Sequence, residues 1–225
     1  MEELRLREFL NNLGEGLRAE ARELFKAETY DREQYIFIDQ DEATHLYLVE
    51  GGTVEANIVH GDGKLYILGF LYAGDVFGEG ALYEEGVYSY SAVAREPARV
   101  WRVSWDDLQW LAERDSLFAL YLVRLVVHKL DQAYYKDRCI AGEKVEKRIA
   151  CVLIKMAGEI GISDKCGLVI DTPLTNRDIA GLVGSTEETV SRIMSRLKKE
   201  GVITTDGKYL VIKDKQALMA YFDGI

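Results

Sequence analysis

The C-terminal third of the chain carries a polar triplet whose spacing places it on one face of a helix. Glu188, Ser191 and Arg192 stand at positions i, i+3 and i+4, so they project from the same side of any helix that contains them. Arginine can donate two hydrogen bonds to guanine O6 and N7, glutamate can accept one from cytosine N4, and serine can bond to several base edges. The triplet therefore predicts the reading of base pairs in a DNA groove, the alternative being an ordinary solvated helix surface.

The residues before the triplet predict two short helices joined by a tight turn. Thr175 and Asp178 have the T-x-x-D spacing of a helix start, Gly184 ends that helix, and Ser185 or Thr186 can cap the next one. Such a pair forms a helix-turn-helix, whose second helix enters the major groove. A hairpin turning at Asp206-Gly207 is expected to follow as a wing. The second helix is expected to bury Val190, Ile193, Met194 and Leu197.

The two parts of the chain differ in charge. Residues 1–142 contain 15 basic and 26 acidic residues, whereas residues 143–225 contain 13 basic and 12 acidic residues. The first part therefore accounts for the overall net charge of −10. Only the second part could approach a phosphate backbone without strong repulsion. This asymmetry predicts two modules with different partners.

The first half has the texture of a small β-structure. Residues 34–104 contain short apolar runs separated by glycine turns, among them Gly61-Asp62-Gly63, which is typical of a barrel or roll. We expect a single helix over residues 4–27 before it, and a second helix capped by Ser104 after it. The expected fold is α+β. Its parts are a sensory β-roll at 1–110, a dimerisation helix ending in a hinge at Ala141-Gly142 (111–142), and a winged helix-turn-helix at 143–225.

The helix expected over residues 115–141 is apolar on two faces. Five of its residues recur with steps of 4, 3, 4 and 3, the heptad pattern of two helices packed lengthwise. We expect this seam to join two subunits, while Leu117, Leu120, Tyr121 and Leu125 pack on the roll of the same chain. The alternative is a helix that packs only on its own β-domain. The expected dimer seam is Ala119, Val123, Val126, Leu130 and Ala133.

The remaining composition argues against several classes of protein. Cys139, Cys151 and Cys166 are odd in number and have no CxxC spacing, so we expect three reduced thiols and neither a metal site nor a disulfide framework. No apolar stretch approaches about 18 residues. The charged N-terminus lacks the apolar core of a secretory signal. We therefore expect a cytoplasmic protein without a membrane partner.

Several stretches resemble the CRP–FNR superfamily, which comprises bacterial cyclic-AMP receptor proteins and fumarate–nitrate reduction regulators. The most specific is IAGLVGSTEETVSR at 179–192, and residues 74–79, 84–86 and 148–150 also match. The resemblance covers most of the chain. It implies a homodimeric DNA-binding transcription regulator and not an enzyme. We expect it to be an activator that contacts RNA polymerase, with a cyclic-nucleotide-binding-like roll, a long dimerisation helix and a winged helix-turn-helix.

The resemblance also implies a target and the residues that read it. The order Glu-x-x-Ser-Arg marks the fumarate–nitrate-type readers, so the implied target is a double-stranded palindrome with half-sites like TTGAT or TTGAC. Glu187 stands where the cyclic-AMP-type has an arginine, which leaves the outermost base of the half-site open. Three threonines are expected to contact phosphates. The expected DNA-binding residues are Thr175, Asn176, Thr186, Glu187, Glu188, Thr189, Ser191 and Arg192.

The sensory pocket departs from the cyclic-AMP type. Those relatives hold the phosphate with an Arg-Ser pair after the Gly-Glu turn and the adenine with Thr-Ser on the dimerisation helix. Here no arginine stands at the first place, and a structural turn is the simpler interpretation of the remaining glycine and glutamate. We expect no cofactor, and either ligand-free DNA binding or an unidentified effector other than cyclic AMP. The candidate pocket residues are Gly78, Glu79, Ser89, Tyr90, Ser91, Ala133 and Tyr134.

Other functions remain open at this point. A ligand in the roll, a cyclic nucleotide or haem, could switch the regulator, and His45, His60 and His128 are the candidate haem ligands. A cupin-like metalloenzyme would need two or three histidines and a carboxylate inside the roll, where only His45 and His60 lie. A pure cyclic-nucleotide-binding module would leave the helix-turn-helix unexplained. The tyrosines expected near the pocket, which could simply fill it, are Tyr66, Tyr83, Tyr88 and Tyr90.

Overall fold

The computed structural model describes residues 3–61, 63–83, 86–141, 143–165 and 167–221. The expectations that involve Asp62, Glu84, Glu85, Gly142 and Cys166 lie outside these ranges. The chain divides into two compact units, Met1–Asp131 and Gln132–Ile225, and the helix α4 runs from the first into the second.

The N-terminal unit is a β-roll preceded and followed by helices, as the sequence predicts. Buried residues from its two four-stranded sheets, β1-β8-β3-β6 and β2-β7-β4-β5, form one apolar cluster. A short 3-10 helix, Glu79–Leu82, follows β6. The elements are α1 (Leu4–Leu10), α2 (Glu15–Leu24), β1 (Lys26–Tyr30), β2 (Tyr35–Phe37), β3 (His45–Gly51), β4 (Val54–Val59), β5 (Leu65–Leu71), β6 (Val76–Phe77), β7 (Ser91–Ala94), β8 (Ala98–Ser104), α3 (Trp105–Arg114) and α4 (Ser116–Ile140).

The single helix expected over residues 4–27 is wrong. α1 ends at Leu10, α2 begins after Gly14, and the Gly14 N–H donates to Asp115 Oδ2 at 2.7 Å. The last residues of the expected helix instead belong to β1, which pairs antiparallel with β8 from Lys26 opposite Arg102. Pairing with a distant strand outweighs the local helical periodicity, which is why sequence alone misplaces this segment.

α4 packs on its own unit with one face and exposes the other. Phe118 is fully buried, and Tyr121, Leu122 and Leu125 pack partly buried against the same cluster as α1 and α3. Residues at i, i+3, i+4 and i+7 share one helix face, so Phe118 and Leu122 occupy the face expected to include Leu117 and Leu120. Those two leucines are 71% and 53% exposed, so their expected packing on the roll is wrong.

The C-terminal unit contains the winged helix-turn-helix. α5 packs against α6 and α7, and a four-stranded sheet, β11-β12-β10-β9, supplies the wing hairpin β11–β12. β9 and α8 were not expected from the sequence. The elements are α5 (Val145–Ile160), β9 (Gly161–Asp164), β10 (Gly167–Pro173), α6 (Asn176–Val183), α7 (Glu187–Lys199), β11 (Ile203–Asp206), β12 (Tyr209–Ile212) and α8 (Lys215–Ala220).

Two of the three cysteines are bonded to each other, which corrects the expectation of reduced thiols. A disulfide joins Cys139 in the last turn of α4 to Cys151 in α5. The chain turns back between these helices, so residues 12 apart in sequence have Cα atoms 6.2 Å apart. Counting cysteines could not reveal this proximity, because it depends on the turn between the helices.

Among the described residues, no helix is both long and apolar enough to cross a membrane.

Candidate DNA interface and effector pocket

The first helix of the helix-turn-helix begins with a complete capping box. The Thr175 hydroxyl accepts a hydrogen bond from the Asp178 N–H at 3.1 Å and donates to Asp178 Oδ2 at 2.7 Å. The same carboxylate oxygen accepts from the Thr175 N–H at 2.8 Å. These bonds satisfy N–H groups at the start of α6 that have no partner within the helix. The T-x-x-D signal in the sequence is confirmed.

The turn between α6 and α7 requires a glycine and is held by an arginine. Gly184 has φ +60°, the left-handed conformation that ends a helix, and the Ser185 N–H donates to the Ala180 carbonyl at 3.0 Å. The guanidinium Nη1 of Arg148 in α5 donates to the carbonyl oxygens of Val183 at 2.8 Å and Gly184 at 3.3 Å. Arg148 therefore fixes the turn to the scaffold helix.

The same arginine also binds the segment that precedes α5. Its Nε donates to the Glu143 carbonyl oxygen at 3.0 Å. The Arg148 side chain thus links the backbone of Glu143 to the turn between α6 and α7. The role of Arg148 could not be predicted from local sequence, because it depends on contacts 35 and 36 residues away.

The second helix, α7, buries its apolar face and exposes the polar triplet. Thr186 caps it by accepting from the Thr189 N–H at 3.3 Å, which resolves the choice between Ser185 and Thr186. Glu188 and Arg192 are exposed, and Ser191 beside them is half-buried. The structure thus brings the three predicted base-reading residues to one accessible face. The buried side chains of α7 are the expected Val190, Ile193, Met194 and Leu197.

The charges along α7 are ordered. Glu187 and Glu188 lie in its first turn, and Arg196, Lys198 and Lys199 lie in its last. This arrangement suits the helix dipole, which favours anions at the N-terminus and cations at the C-terminus.

Two of the three threonines expected to contact phosphates, Thr175 and Thr186, already serve as caps. The Thr186 hydroxyl donates to Thr189 Oγ1 at 2.9 Å, and the Thr175 hydroxyl donates to Asp178. Their hydroxyl hydrogens are therefore engaged, although Thr175 and Thr186 are exposed and Asn176 beside them is half-buried. The helix N-termini that they cap remain the sources of positive potential for a phosphate.

The candidate effector pocket is occupied by the chain itself. The Tyr90 hydroxyl accepts a hydrogen bond from the Gly78 N–H at 2.9 Å and donates to Glu79 Oε2 at 3.0 Å. Lys129 Nζ in α4 lies 3.3 Å from the same carboxylate oxygen. Burial and the adjacent Glu79 carboxylate raise the pKa of Tyr90 well above its usual value, so this hydroxyl keeps its proton. The backbone donor of the Gly-Glu turn is already satisfied.

Glycine is required at the start of this turn. Gly78 has φ +79°, and a Cβ there would lie 3.0 Å from the His45 carbonyl oxygen and 3.0 Å from the Tyr47 ring. Both the backbone conformation and the close approach exclude a larger residue. These constraints agree with the structural role in the turn that was expected for Gly78.

Aromatic rings fill the interior beside this turn. Phe37 stacks on Tyr88 with ring centroids 3.7 Å apart, and Tyr47 stacks on Phe77 at 5.1 Å. Tyr88 and Tyr90 are buried, as expected of tyrosines that fill the pocket, but Tyr83 is 76% exposed and does not. These stacked rings belong to the buried core of the roll.

Two of the other candidate pocket residues are serines of the roll. Ser89 is exposed, and the buried Ser91 hydroxyl oxygen accepts from the Asp39 N–H at 3.0 Å. Ala133 and Tyr134 are exposed residues of α4 that belong to the C-terminal unit. Within the N-terminal unit the structure brings together Gly78, Glu79 and Tyr90 with Lys129, which the sequence did not indicate.

The best-placed histidine for a haem ligand has both ring nitrogens engaged. Arg102 Nη1 lies 2.8 Å from His45 Nε2, and Thr44 Oγ1 lies 2.8 Å from His45 Nδ1. Burial and the Arg102 charge lower the pKa of His45, which favours a neutral ring accepting at Nε2. His60 and His128 are exposed. Among the described residues, no group of three or more His, Cys, Asp or Glu side chains is placed to hold a metal ion.

Comparison with known proteins agrees with this architecture. Residues 27–115 match the Cyclic nucleotide-binding domain family, and residues 147–221 match the Crp-like helix-turn-helix domain family. The chain is 31% identical over 179 residues, 80% of each chain, to the Cyclic AMP receptor protein of Thermus thermophilus. It is 26% identical over 187 residues, 83% of this chain and 74% of the relative, to the Fumarate and nitrate reduction regulatory protein of Salmonella typhi.

A solved structure shares the whole fold. FixK2 from Bradyrhizobium japonicum superposes with a TM-score of 0.79 at 25% identity, covering 88% of this chain and 96% of that one. A cyclic-nucleotide-binding-like roll, a long helix and a helix-turn-helix define a DNA-binding transcription regulator. The chain belongs to the CRP–FNR family of such regulators, whose members are transcription factors and not enzymes.

Proposed function

We propose that this protein is a homodimeric regulator that activates transcription in the cytoplasm by reading a palindrome with TTGAT- or TTGAC-like half-sites. The observation that carries the proposal is the exposed Glu188, Ser191 and Arg192 face of α7 on a complete helix-turn-helix. We also propose that the protein activates transcription by contacting RNA polymerase, because the family resemblance implies this partner. The three-part division at residues 110 and 142 is part of the same proposal.

The base contacts follow from the side chains. Arg192 donates to O6 and N7 of a guanine, and Glu188 accepts from N4 of a cytosine in the same half-site. The Ser191 hydroxyl can bond to more than one kind of base edge. This fits a protein that accepts both of the proposed half-sites, TTGAT and TTGAC. The helix N-termini capped by Thr175 and Thr186 approach phosphates and contribute affinity without sequence preference.

An exposed apolar stripe on α4 supports the dimer. Leu120, Val123, Val127 and Leu130 recur with steps of 3, 4 and 3, and each is at least 46% exposed in the single chain. A heptad-spaced stripe opposite the face that packs on the roll is the geometry of a helix pair. Four of the five seam residues predicted from the sequence are exposed, and Ala119 is half-buried. Val123 and Leu130 belong to both sets and mark the centre of the proposed seam.

Cyclic AMP is not the proposed effector. A desolvated cyclic phosphate needs a cation or several N–H donors, but here Tyr90 takes the Gly78 N–H and Lys129 pairs with Glu79. We propose that the hydroxyl of Tyr90 acts as a built-in ligand, so that the regulator binds DNA without a small molecule. In calorimetry, cyclic AMP should give no heat of binding and should leave the affinity for operator DNA unchanged.

The decisive experiment is the selection of bound sequences from random double-stranded DNA by the purified protein without added ligand. We expect a palindrome containing the half-site above, and binding that weakens as salt rises because phosphate contacts release counterions. An Arg196→Ala variant is a matched control: this arginine lies on the same helix but pairs with Glu146 at 3.6 Å. It should weaken binding to all sequences alike. Recovery of no consensus by the unaltered protein would refute the proposal.

A further inference from the structure

The end of α4 and the second turn of α5 bring together sulfur and cationic side chains. The disulfide between Cys139 and Cys151 has a Cα–Cα distance of 6.2 Å, within the range that disulfides adopt. The Tyr135 hydroxyl oxygen lies 3.9 Å from Cys151 Sγ. Because a disulfide sulfur carries no hydrogen, the hydroxyl is the donor in this contact.

Cations surround the same tyrosine. The guanidinium carbon of Arg138 lies 5.7 Å, and the ammonium nitrogen of Lys155 5.9 Å, from the centroid of the Tyr135 ring. Lys136 is close enough to Lys155 that burial and this second charge together lower its pKa to about 8. Asp137 and Glu159 are the acidic groups here, and Glu159 pairs with Lys155 at 3.8 Å. These cations flank Tyr135, whose hydroxyl contacts Cys151. A hydrogen-bond donor beside a sulfur stabilises its thiolate, the form of cysteine that attacks disulfides and leaves from them.

Both sulfurs are shielded in the folded chain. Cys139 is 6% exposed and Cys151 is 2% exposed, so exchange with a small thiol requires a local opening at the end of α4. The Tyr135 hydroxyl can donate to the Cys151 thiolate, which assigns Cys151 as the leaving sulfur and Cys139 as the attacked one. This division into an attacked and a leaving sulfur is what reversible exchange requires.

We propose that Cys139 and Cys151 form a reversible dithiol–disulfide site that exchanges with low-molecular-weight thiols and disulfides. In the oxidising direction, the Cys139 thiolate attacks a small disulfide and releases one thiol; the Cys151 thiolate then attacks the mixed disulfide and releases the second. The protein dithiol loses two electrons and two protons, and the small disulfide becomes two thiols. A dithiol such as dithiothreitol reverses both steps.

The site is placed where it can affect DNA binding, an extension that rests on the proposed function. The two cysteines bracket the segment that holds Glu143 and Arg148, and Arg148 connects Glu143 to the carbonyls of the helix-turn-helix turn. Closing the disulfide restrains that segment and so orders the support of α7 before DNA arrives. Disulfides in cytoplasmic proteins are usually transient and redox-sensing. An exchangeable bond therefore fits the proposed cytoplasmic regulator.

The test uses the full-length chain in a Cys166→Ser background, which removes the third thiol. Thiol titration and mass spectrometry after equilibration with glutathione and its disulfide should show loss of two thiols without a change of oligomeric state. Fluorescence anisotropy with the selected palindrome should show affinity at least fivefold lower for the reduced than for the oxidised protein. Cys139→Ser and Cys151→Ser variants should have the reduced affinity under both conditions.

The outcomes separate the proposals. Two titratable thiols in every redox buffer would overturn the exchange site, whatever the DNA result. Formation of the disulfide with operator affinity that is unchanged, or higher after reduction, would overturn its regulatory role and leave the DNA-binding function intact. If neither form selects a palindrome, the proposed function itself fails, and the regulatory role with it.

Discussion

Removing the hydroxyl of Tyr90 should destabilise the β-roll without touching the DNA interface. In Tyr90→Phe the ring remains, but the buried Gly78 N–H loses its acceptor at 2.9 Å. Leaving a buried donor unpaired costs about 1–3 kcal/mol. Glu79 also loses the hydroxyl at 3.0 Å but keeps Lys129 at 3.3 Å, and its side chain is 32% exposed, so water can replace the lost donor. We therefore expect a loss of about 2 kcal/mol.

The tryptophans make this loss measurable in the N-terminal unit alone. All three, Trp101, Trp105 and Trp110, lie in that unit. Urea unfolding followed by tryptophan fluorescence therefore reports on the roll, and with a slope of about 2 kcal/mol per M the midpoint should fall by about 1 M. Tyr83→Phe is the matched control because Tyr83 is 76% exposed, and it should change stability by less than about 0.5 kcal/mol. Equal urea midpoints for Tyr90→Phe and Tyr83→Phe would refute the hydrogen bonds of the Tyr90 hydroxyl to Gly78 and Glu79.

Four further predictions follow from the same contacts. Leu130→Glu places a charge on a residue shared by the exposed stripe and the predicted seam, and it should give monomers by sedimentation that no longer bind the palindrome; a dimer would show that the seam lies elsewhere. Arg192→Ala should cost about 1–3 kcal/mol per half-site and relax the preference at one base, as measured by competition with single-base variants, and an unchanged preference would contradict the assignment. Arg148→Ala should weaken operator binding because the turn carbonyls lose their donor, with partial recovery in Arg148→Lys, whose ammonium keeps one donor but not the fork of the guanidinium; equal affinities would contradict the role of Arg148 in holding the turn. The folded roll keeps the Tyr90 proton, which the unfolded chain releases near pH ~10. The free energy of unfolding should therefore fall as pH rises above that value. An equally steep fall in Tyr90→Phe would contradict the assignment of this effect to Tyr90.

The parts of the structure that local signals define could be predicted from the sequence. The capping residue Thr175, the terminating Gly184 and the i, i+3, i+4 triplet are all local features, and the structure places them as a helix-turn-helix. The roll followed from short strands separated by glycine. Each of these predictions depends on residues a few positions apart, where spacing alone determines which side chains share a face.

The parts that depend on distant contacts could not be predicted. β1 looks helical in sequence but pairs with β8, and α4 packs with Phe118, not Leu117, because its rotation is set by the surface beneath it. The bond from Tyr90 to the Gly-Glu turn follows from a tyrosine reaching back 12 residues. A neutral residue in place of an arginine predicted that cyclic AMP is not the effector, but it did not predict that this residue bonds to the Gly-Glu turn.

The exposed stripe on α4 has a consequence for how the target genes would respond to the amount of protein in the cell. Under the proposed ligand-free mode, the regulator takes its signal from its own abundance. If the operator accepts only the dimer, occupancy at low abundance grows with the square of the number of chains per cell, so halving synthesis lowers occupancy about fourfold. In that case the strength of the contact along Leu120, Val123, Val127 and Leu130 sets the expression level at which the operator fills.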